Sequence, residues 1–260
     1  MATAGASRGS GPERAHLARI PAAGTARLDA DEGHHLLRVR RARVGDEVVL
    51  FDGRGGSFLA RLLDARPEGP TLEIVGPYPD REPARPVTVA SAVPGPSRLD
   101  DLVTTLAELG VTAWIPLDAA RAARDAADAV ERRRDRLERL VREAAKVSGR
   151  SRFLRIEAPR TPAQIWGGAA GAAVGGTAGG GGGGTIVLLD PDPAAPTLAS
   201  VLRESAAASG PATLLVGPEG GFTEAEVAAA RDAGVRRASV SACALRTEVA
   251  AIAAAAIALG

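Results

Sequence analysis

Residues 214–226 read LLVGPEGGFTEAE, and they combine the end of a buried strand, a glycine-rich loop and the start of a capped helix. Thr223 can accept a hydrogen bond from the third helical amide, and Glu226 stands where a capping box places its carboxylate. Gly220 and Gly221 permit backbone angles that side chains forbid, so a ligand can approach the main chain closely. Because open α/β sheets bind small molecules at the carboxyl ends of their strands, this stretch predicts a ligand-binding loop.

From residue 87 onward, short apolar segments typical of strands alternate with segments whose apolar residues recur at helical spacing. This pattern predicts an α/β domain with a parallel sheet covered on both faces. A second motif, ALRTE at residues 244–248, opens an alanine-rich helix that ends at Gly260. The predicted strands are 87–92, 111–116, 186–189, 213–216 and 237–241, and the predicted helices include 99–109, with Gly110 as its C-cap, and 129–147.

The amino-terminal part of the chain has a different sequence pattern. Short candidate strands at 45–53, 57–63 and 71–75 are separated by Gly and Pro, which is typical of a small β-barrel. Glycines dominate the segment 167–184, which predicts a flexible loop because ordering it would cost too much entropy. The predicted organisation is a disordered terminus at 1–13, a small β-barrel at 14–80, a linker at 81–86 and an α/β domain at 87–260.

The composition restricts the possible functions. The 260 residues are 45% hydrophobic but only 3% aromatic, so the core must consist mostly of aliphatic side chains. A net charge of +1 means that any RNA contact must come from a local basic patch. No run of apolar residues is long enough to span a membrane, and we expect a cytoplasmic protein. His34 and His35, taken as neighbours on a strand, face opposite sides, so we predict no metal site.

Several motifs in a fixed order identify a family. GPEGGF and LRTE follow HLLRVRR with Gly45-Asp46, then AELGV at 107–111, then EAA at 143–145 with SGR at 148–150. Over residues 14–260 this set resembles the ribosomal small-subunit RNA uridine-N3 methyltransferases, which belong to the knotted SPOUT class. The resemblance implies a trefoil-knotted α/β domain after a PUA-like β-barrel. It also implies a homodimer, with the helix at 247–259 as a candidate contact, that acts on 16S ribosomal RNA or an assembling 30S particle.

The same resemblance implies a cofactor site for S-adenosylmethionine. In the family, three loops wrap this cofactor, and here they would be the loop after Leu189, the loop 217–221 and the loop 240–245. The residues expected to bind it are Leu189, Gly217, Gly220, Val240, Ala244 and Leu245, and those expected to serve catalysis are Arg246 and Glu219. For Arg246 the alternative is a structural salt bridge with Glu219 or Glu248. Thr247 is expected to be the N-cap of the last helix, and Cys243 an inert, packed thiol.

Arginines carry almost all of the basic charge and supply the RNA-binding candidates. Arg38, Arg40, Arg41 and Arg43 form a basic run, and alternate residues on a strand would project to one face. Such a face suits phosphate contact, although many charged runs are only solvated surface. With the family resemblance, Arg38, Arg41 and Arg150 become the candidates for contact with RNA.

Some positions depart from the family pattern and leave two other functions open. Thr105, Val147, Ser241, Cys243 and Val249 stand where the family usually has other residues. One alternative is a related knotted enzyme that methylates a ribose 2′-hydroxyl. The other is an RNA-binding or ribosome-assembly protein whose catalytic site has decayed.

Overall fold

The structure, a computed structural model, describes residues 11–66, 68–123, 125–167, 184–192, 194–205 and 210–260. It divides the chain into two compact units, Met1–Arg81 and Glu82–Gly260. Most of the predicted disordered terminus (1–10 of 1–13) and nearly all of the predicted flexible glycine-rich loop (168–183 of 167–184) lie outside the described residues. No helix in the described ranges is long and apolar enough to cross a membrane.

Five short strands form one sheet in the amino-terminal unit, in the order β1-β3-β4-β5-β2. β1 pairs parallel with β3, and the other neighbours are antiparallel. Buried positions such as Leu50, Leu62 and Leu72 form its aliphatic core. The strands are β1 (Glu13–His16), β2 (Thr25–Arg27), β3 (Glu47–Phe51), β4 (Ser57–Leu62) and β5 (Thr71–Pro77).

The segment between β2 and β3 corrects a sequence prediction. It is helical, with α1 at Ala30–His34 followed by one π-helical turn at His35–Val39, so the assumption that His34, His35 and the first arginines lie on a strand is wrong. The physical reason is Asp29, whose carboxylate accepts from the Glu32 amide at 2.8 Å and caps α1. After the π-helix, Arg41 adopts φ of +59°, a conformation that non-glycine residues rarely hold.

Six parallel strands form the sheet of the second unit, in the order β11-β9-β10-β6-β7-β8, which confirms the predicted parallel α/β architecture. The strands are β6 (Val87–Ser91), β7 (Ala113–Pro116), β8 (Arg155–Ile156), β9 (Thr185–Leu189), β10 (Ala212–Val216) and β11 (Arg236–Ala238). The helices are α2 (Pro96–Leu109), α3 (Ala126–Glu131), α4 (Arg134–Ser148), α5 (Pro162–Trp166), α6 (Leu198–Glu204), α7 (Glu224–Asp232) and α8 (Thr247–Leu259).

The boundaries of these helices follow from local chemistry. Pro96 opens α2 at a position that needs no amide donor, and Gly110 ends it in the left-handed region, where a Cβ would clash with Pro83. The predicted helix at 129–147 is in fact two, α3 and α4, separated by Arg132 and Arg133. Asp100 of α2 accepts from the guanidinium groups of Arg133 and Arg136, each at 2.7 Å, and so ties this junction to α2.

The core of the second unit is built from aliphatic residues on both faces of the sheet. Every residue of β6 and β10 is buried, as expected for strands covered on two sides. The fully buried apolar side chains of α8 are all alanines, so it packs closely against β6 and β10 as well as α2 and α6. Trp114 is fully buried and its indole nitrogen donates to Ser91 Oγ at 2.9 Å. The sheet is therefore a rigid base for the loops at its carboxyl edge.

Candidate active site

Three loops meet at the carboxyl ends of β9, β10 and β11, around a cavity of about 320 Å³. β11, β9 and β10 are consecutive neighbours in the sheet, so their following loops must emerge side by side. Leu189, Gly217, Val240, Ala244 and Leu245 line the cavity, as do Asp190, Glu219, Gly221, Phe222 and Thr247 among others. The structure thus brings together five of the six residues predicted to bind a cofactor.

The loop between β10 and α7 has its conformation fixed from both ends. Thr223 and Glu226 form the predicted capping box, with the Thr223 amide donating to Glu226 Oε2 at 2.7 Å and the Glu226 amide donating to Thr223 Oγ1 at 3.2 Å. The other oxygen of Glu226 accepts from the Ala120 amide at 2.9 Å, in the loop after β7. Burial alone would raise the pKa of Glu226, but the hydrogen bonds from Ala120 and Thr223, with Arg121 nearby, lower it overall.

Gly220 has a different position from the one predicted. Its carbonyl accepts from Arg121 Nη1 at 2.7 Å, a Cβ on it would meet the Arg121 side chain at 3.4 Å, and it does not line the cavity. The adjacent Gly221, with φ of +68°, lines the cavity instead. Gly220 thus lies outside the cavity lining, and its neighbour Gly221 takes the place predicted for it. Arg121 was missed because only the fold brings the loop after β7 next to this glycine pair.

Gly217 is packed so tightly that its missing side chain matters. A Cβ there would approach the Phe222 ring to 3.1 Å, closer than ordinary van der Waals contact. Its carbonyl accepts from Thr247 Oγ1 at 3.1 Å. This bond corrects the role predicted for Thr247. Arg246 is the N-cap residue of α8, and Thr247 is the first helical residue, whose buried hydroxyl joins the β10 loop to α8.

Asp190 and the loop from Ser239 to Ala244 complete the cavity wall. The Asp190 carboxylate accepts from Arg237 Nε and from the Asp192 amide, both at 2.8 Å, so this acid is held in place. Ser239 donates to the Ser241 carbonyl at 2.8 Å, and Ser241 Oγ accepts from the Cys243 amide at 3.0 Å. Cys243 is exposed and lines the cavity, so the prediction of a packed thiol is wrong.

The charge of the cavity is distinctive. Among the described residues that line it, the charged ones are Asp190 and Glu219, and no basic side chain is present. The remaining wall consists of aliphatic groups, the Phe222 ring, small polar residues and main chain. A compact ligand with apolar parts and a positive centre is therefore favoured over a phosphate or another anion.

Four charged residues lie at the start of α8 and near it. The predicted catalytic residue Arg246 is 67% exposed in its side chain, and its Nη1 lies 3.2 Å from Glu248 Oε1. Glu219, predicted with it, has a side chain that is 63% exposed. Arg98 of α2 lies 3.7 Å from Glu219 and 3.5 Å from Glu248. The predicted alternative pairing of Arg246 with Glu248 is present, whereas the cation next to Glu219 is Arg98, which the sequence did not reveal.

Two of the three arginines predicted to contact RNA lie on the surface. Arg38 and Arg41 are exposed in the amino-terminal unit, and Arg38 lines a second cavity of about 290 Å³ with His34, Leu37, Ala42 and Ala65. No group of three or more potential metal ligands occurs in the part of the chain that the structure describes.

Arg150 contradicts its prediction. It is only 4% exposed, and its guanidinium donates to Glu82 at 2.8 and 3.1 Å and to the Ala107 carbonyl at 2.8 Å. A side chain so enclosed cannot reach a phosphate. Its neighbours Ser151 and Arg152 also donate their backbone amides to Glu82, so the SGR motif anchors the segment before β6.

Comparison with known proteins agrees with this geometry. A profile described as an RNA methyltransferase domain matches residues 80–259, and one described as an RNA methyltransferase PUA domain matches residues 28–75. The chain is 30% identical over 242 residues to ribosomal RNA small subunit methyltransferase E of Mycobacterium bovis, which covers 90% of this chain and 84% of that protein.

Solved structures show the same similarity over nearly the whole chain. Ribosomal RNA small subunit methyltransferase E from Neisseria gonorrhoeae, bound to S-adenosyl methionine, superposes with a TM-score of 0.78 at 26% identity, covering 95% of this chain and 96% of that one. A probable rRNA-methyltransferase from Porphyromonas gingivalis gives a TM-score of 0.74 at 26% identity, covering 94% and 95%.

Proposed function

Since this chain belongs to the RNA methyltransferase family, we propose that it transfers a methyl group from S-adenosylmethionine to N3 of a uridine in small-subunit ribosomal RNA. The observation that carries the proposal is the cavity at the carboxyl edge of the large sheet, which has two carboxylates and no basic group among its described lining residues. The relative from Neisseria gonorrhoeae, described as bound to S-adenosyl methionine, supports the choice of cofactor. The trefoil knot that the resemblance implies is part of this proposal.

The lining residues fit this cofactor. S-adenosylmethionine supplies an electrophilic methyl group on a positively charged sulfur. Asp190 and Glu219 place carboxylate oxygens at the cavity wall that suit such a cation, although Arg237 and Arg98, outside the lining, pair with them. Leu189, Val240 and Leu245 offer apolar walls, and Gly217 lies so close to the Phe222 ring that a side chain there would not fit without displacing the ring. The main chain of the three loops would provide the polar contacts, because few polar side chains line the site.

Proton removal is assigned to Glu219. The N3 atom of uridine carries a proton at neutral pH, and this proton must leave for N3 to bond to the methyl carbon. Of the two carboxylates that line the cavity, Asp190 is engaged by Arg237 and its side chain is 13% exposed, whereas that of Glu219 is 63% exposed. Glu219 is therefore the carboxylate that can reach the substrate and accept the proton, directly or through one water molecule.

Arg246 is proposed to orient the RNA. It lies between Leu245 and Thr247, which both line the cavity, and its side chain is largely in solvent. A guanidinium there can donate two parallel hydrogen bonds to a phosphate or to the uracil carbonyls. Holding the base with N3 about 3–3.5 Å from the methyl carbon would supply much of the rate enhancement.

The amino-terminal unit is proposed to hold the RNA through Arg38 and Arg41. Both side chains are exposed, and phosphate contacts of this kind add affinity without reading sequence. We also propose a homodimer formed through α8. Ile257 is 37% exposed there, and Ile252 is only partly covered, so an apolar surface is open to a second copy.

Nucleoside analysis tests this function directly. Small-subunit ribosomal RNA and 30S particles from a strain that lacks this protein are incubated with the purified protein and S-adenosylmethionine, digested and analysed by mass spectrometry. The proposal expects N3-methyluridine, formed about a hundredfold more slowly when Glu219→Gln is used, because general-base catalysis contributes factors of this order. A ribose-methylated nucleoside would assign the enzyme to the 2′-hydroxyl class, and no methylation of either substrate would support a non-catalytic RNA-binding protein.

A further inference from the structure

Four charged side chains of alternating sign form a continuous line beside the cavity. Glu219 lies 3.7 Å from Arg98, Arg98 lies 3.5 Å from Glu248 Oε2, and Glu248 Oε1 lies 3.2 Å from Arg246. They come from three separate parts of the fold, namely the first turn of α2, the β10–α7 loop and the start of α8. Arg98 is the member that joins all three parts.

Glu248 is the buried member of this line. It is only 5% exposed, and a carboxylate that is buried needs compensating positive charge. Arg98 and Arg246 supply it from opposite sides. Glu248 Oε1 accepts no well-directed hydrogen bond, although Arg246 lies nearby. The contact between Arg246 and Glu248 is therefore an ion pair without a hydrogen bond. Glu248 therefore attracts Arg98 toward α8 and limits where its guanidinium can lie.

Arg98 itself stands on a rigid base. Gly95 precedes α2, Pro96 occupies its first turn, and Leu99 directly after Arg98 is buried in the core. Glu219, in contrast, has a side chain that is 63% exposed, in a loop whose main chain is held at Gly220 by Arg121 and at Gly217 by Thr247. The contact at 3.7 Å therefore restrains a side chain that the loop itself leaves in solvent.

We propose that Arg98 is a positioning residue for methyl transfer: it holds the Glu219 carboxylate at the cavity wall, and Glu248 holds Arg98. This inference rests on the proposed function of Glu219 as proton acceptor. Arg98 does not line the cavity, and its proposed effect on the reaction passes through Glu219, the member of the line that does. Its expected contribution is to kcat, because a misplaced acceptor slows proton removal without weakening cofactor binding.

A double-mutant cycle separates this role from a structural one. We expect Arg98→Gln to lower kcat by about tenfold, with the KM for S-adenosylmethionine changed by less than about twofold, because only the transition-state interaction is lost. In a Glu219→Gln background the same substitution should lower kcat by less than about twofold, since residues that act as a unit are not additive. Arg98→Lys retains the charge and should recover part of the loss.

Hydrogen exchange gives a readout that needs neither cofactor nor activity. In Arg98→Gln, amides of residues 217–222 should exchange faster by about three- to tenfold, because the loop loses a restraint. Arg231→Gln is the matched control, because Arg231 is an exposed arginine of α7 that pairs with its neighbour Asp232. If Arg98→Gln does not fold, Arg98→Lys is compared in the same two backgrounds. We then expect a smaller loss of kcat in the wild-type background and no loss of kcat in the Glu219→Gln background.

The outcomes distinguish this inference from the proposed function. The positioning role would be overturned if the kcat losses of the two single variants multiplied in the double variant. It would also be overturned if amide hydrogen exchange in residues 217–222 did not change in Arg98→Gln. Neither result would affect the proposed methyl transfer. A wild-type protein that methylates no ribosomal RNA would instead overturn the proposed function and, with it, this inference. Exchange that accelerates equally in Arg231→Gln would show a general loosening of α7 and would also count against it.

Discussion

The cavity loops and the basic segment 38–44 differ in the chemistry that they offer for recognition. The cavity loops carry two acids and no basic side chain among their described lining residues, and their shape depends on Gly217 and Gly221. The basic segment has four exposed arginines in seven residues and begins within a π-helical turn. The first surface should therefore respond to small changes in shape, and the second to changes in charge and salt.

The largest expected effect tests whether Arg150 is a buried structural residue and not, like Arg38 and Arg41, an exposed arginine available to RNA. Arg150→Ala would leave Glu82, whose side chain is only 14% exposed, without its main cation, so we expect a loss of about 3–5 kcal/mol in the free energy of unfolding. Denaturant unfolding measures it. Arg152→Ala, an exposed neighbour, should change stability by less than about 0.5 kcal/mol. Equal, small losses in both variants would show that Arg150 is a surface residue.

Next in size is the shape of the cavity loops. Gly217→Val places methyl groups against the Phe222 ring, where even a Cβ would lie 3.1 Å away. Overpacking of this kind costs about 1–3 kcal/mol, so affinity for S-adenosylmethionine should fall by about ten- to a hundredfold in calorimetry. Gly76→Ala, with open space around its Cβ, is the control and should bind normally. If Gly217→Val bound S-adenosylmethionine as tightly as wild type, close approach of this loop to the ligand would not be required.

A smaller effect concerns the support beneath these loops and has a definite pH dependence. The pKa of Glu226 is lowered below its ordinary value of about 4.5, so its ionised form stabilises the fold above that value. This contribution disappears as the pH falls through the folded-state pKa. We expect Glu226→Gln to cost about 1–2 kcal/mol at neutral pH and less in acid.

Unfolding of wild type and Glu226→Gln at neutral pH and below about pH 4 measures this difference. Glu224→Gln is the matched control, because Glu224 lies in the same first turn of α7 but outside the capping box. A stability difference between wild type and Glu226→Gln that stays constant down to acid pH would contradict the proposed role of the ionised carboxylate.

The smallest expected effect belongs to the basic segment. Arg38→Ala and Arg41→Ala should each weaken binding of ribosomal RNA by about 1 kcal/mol, and each should reduce the slope of log K against log salt by about 1. Filter binding over a range of salt concentrations measures both quantities. Arg231→Ala serves as a control from the other unit. A loss of affinity that does not depend on salt would argue against phosphate contact.

The sequence predicted the elements that local chemistry determines. The parallel strands, the capping box at Thr223 and Glu226 and the glycine C-cap at Gly110 are all present, because each depends on residues close in sequence. The rule that ligands bind at the carboxyl ends of parallel strands pointed to the loop within residues 214–226. The other two loops and the six expected cofactor contacts were implied by the family resemblance, and five of those six residues line the cavity.

The errors occurred where distant residues decide a side chain's environment. Arg150 was expected on the surface, but Glu82, 68 residues away in sequence, encloses it. Gly220 is turned toward Arg121, and Arg98 reaches Glu219 and Glu248 only through the packing of α2 beside α8. His34 and His35 were assumed to lie on a strand, but Asp29 caps a helix that begins at Ala30 and includes His34. Such partners leave no periodic signal in a single sequence.

A crystal structure of the protein grown with S-adenosylmethionine would show whether the three loops form the cofactor site. We expect one cofactor molecule per chain in the cavity formed by the loops after β9, β10 and β11, with Leu189, Gly217 and Leu245 in contact with it and Glu219 on the side open to RNA. A cofactor bound elsewhere, or no binding at millimolar concentration, would contradict it.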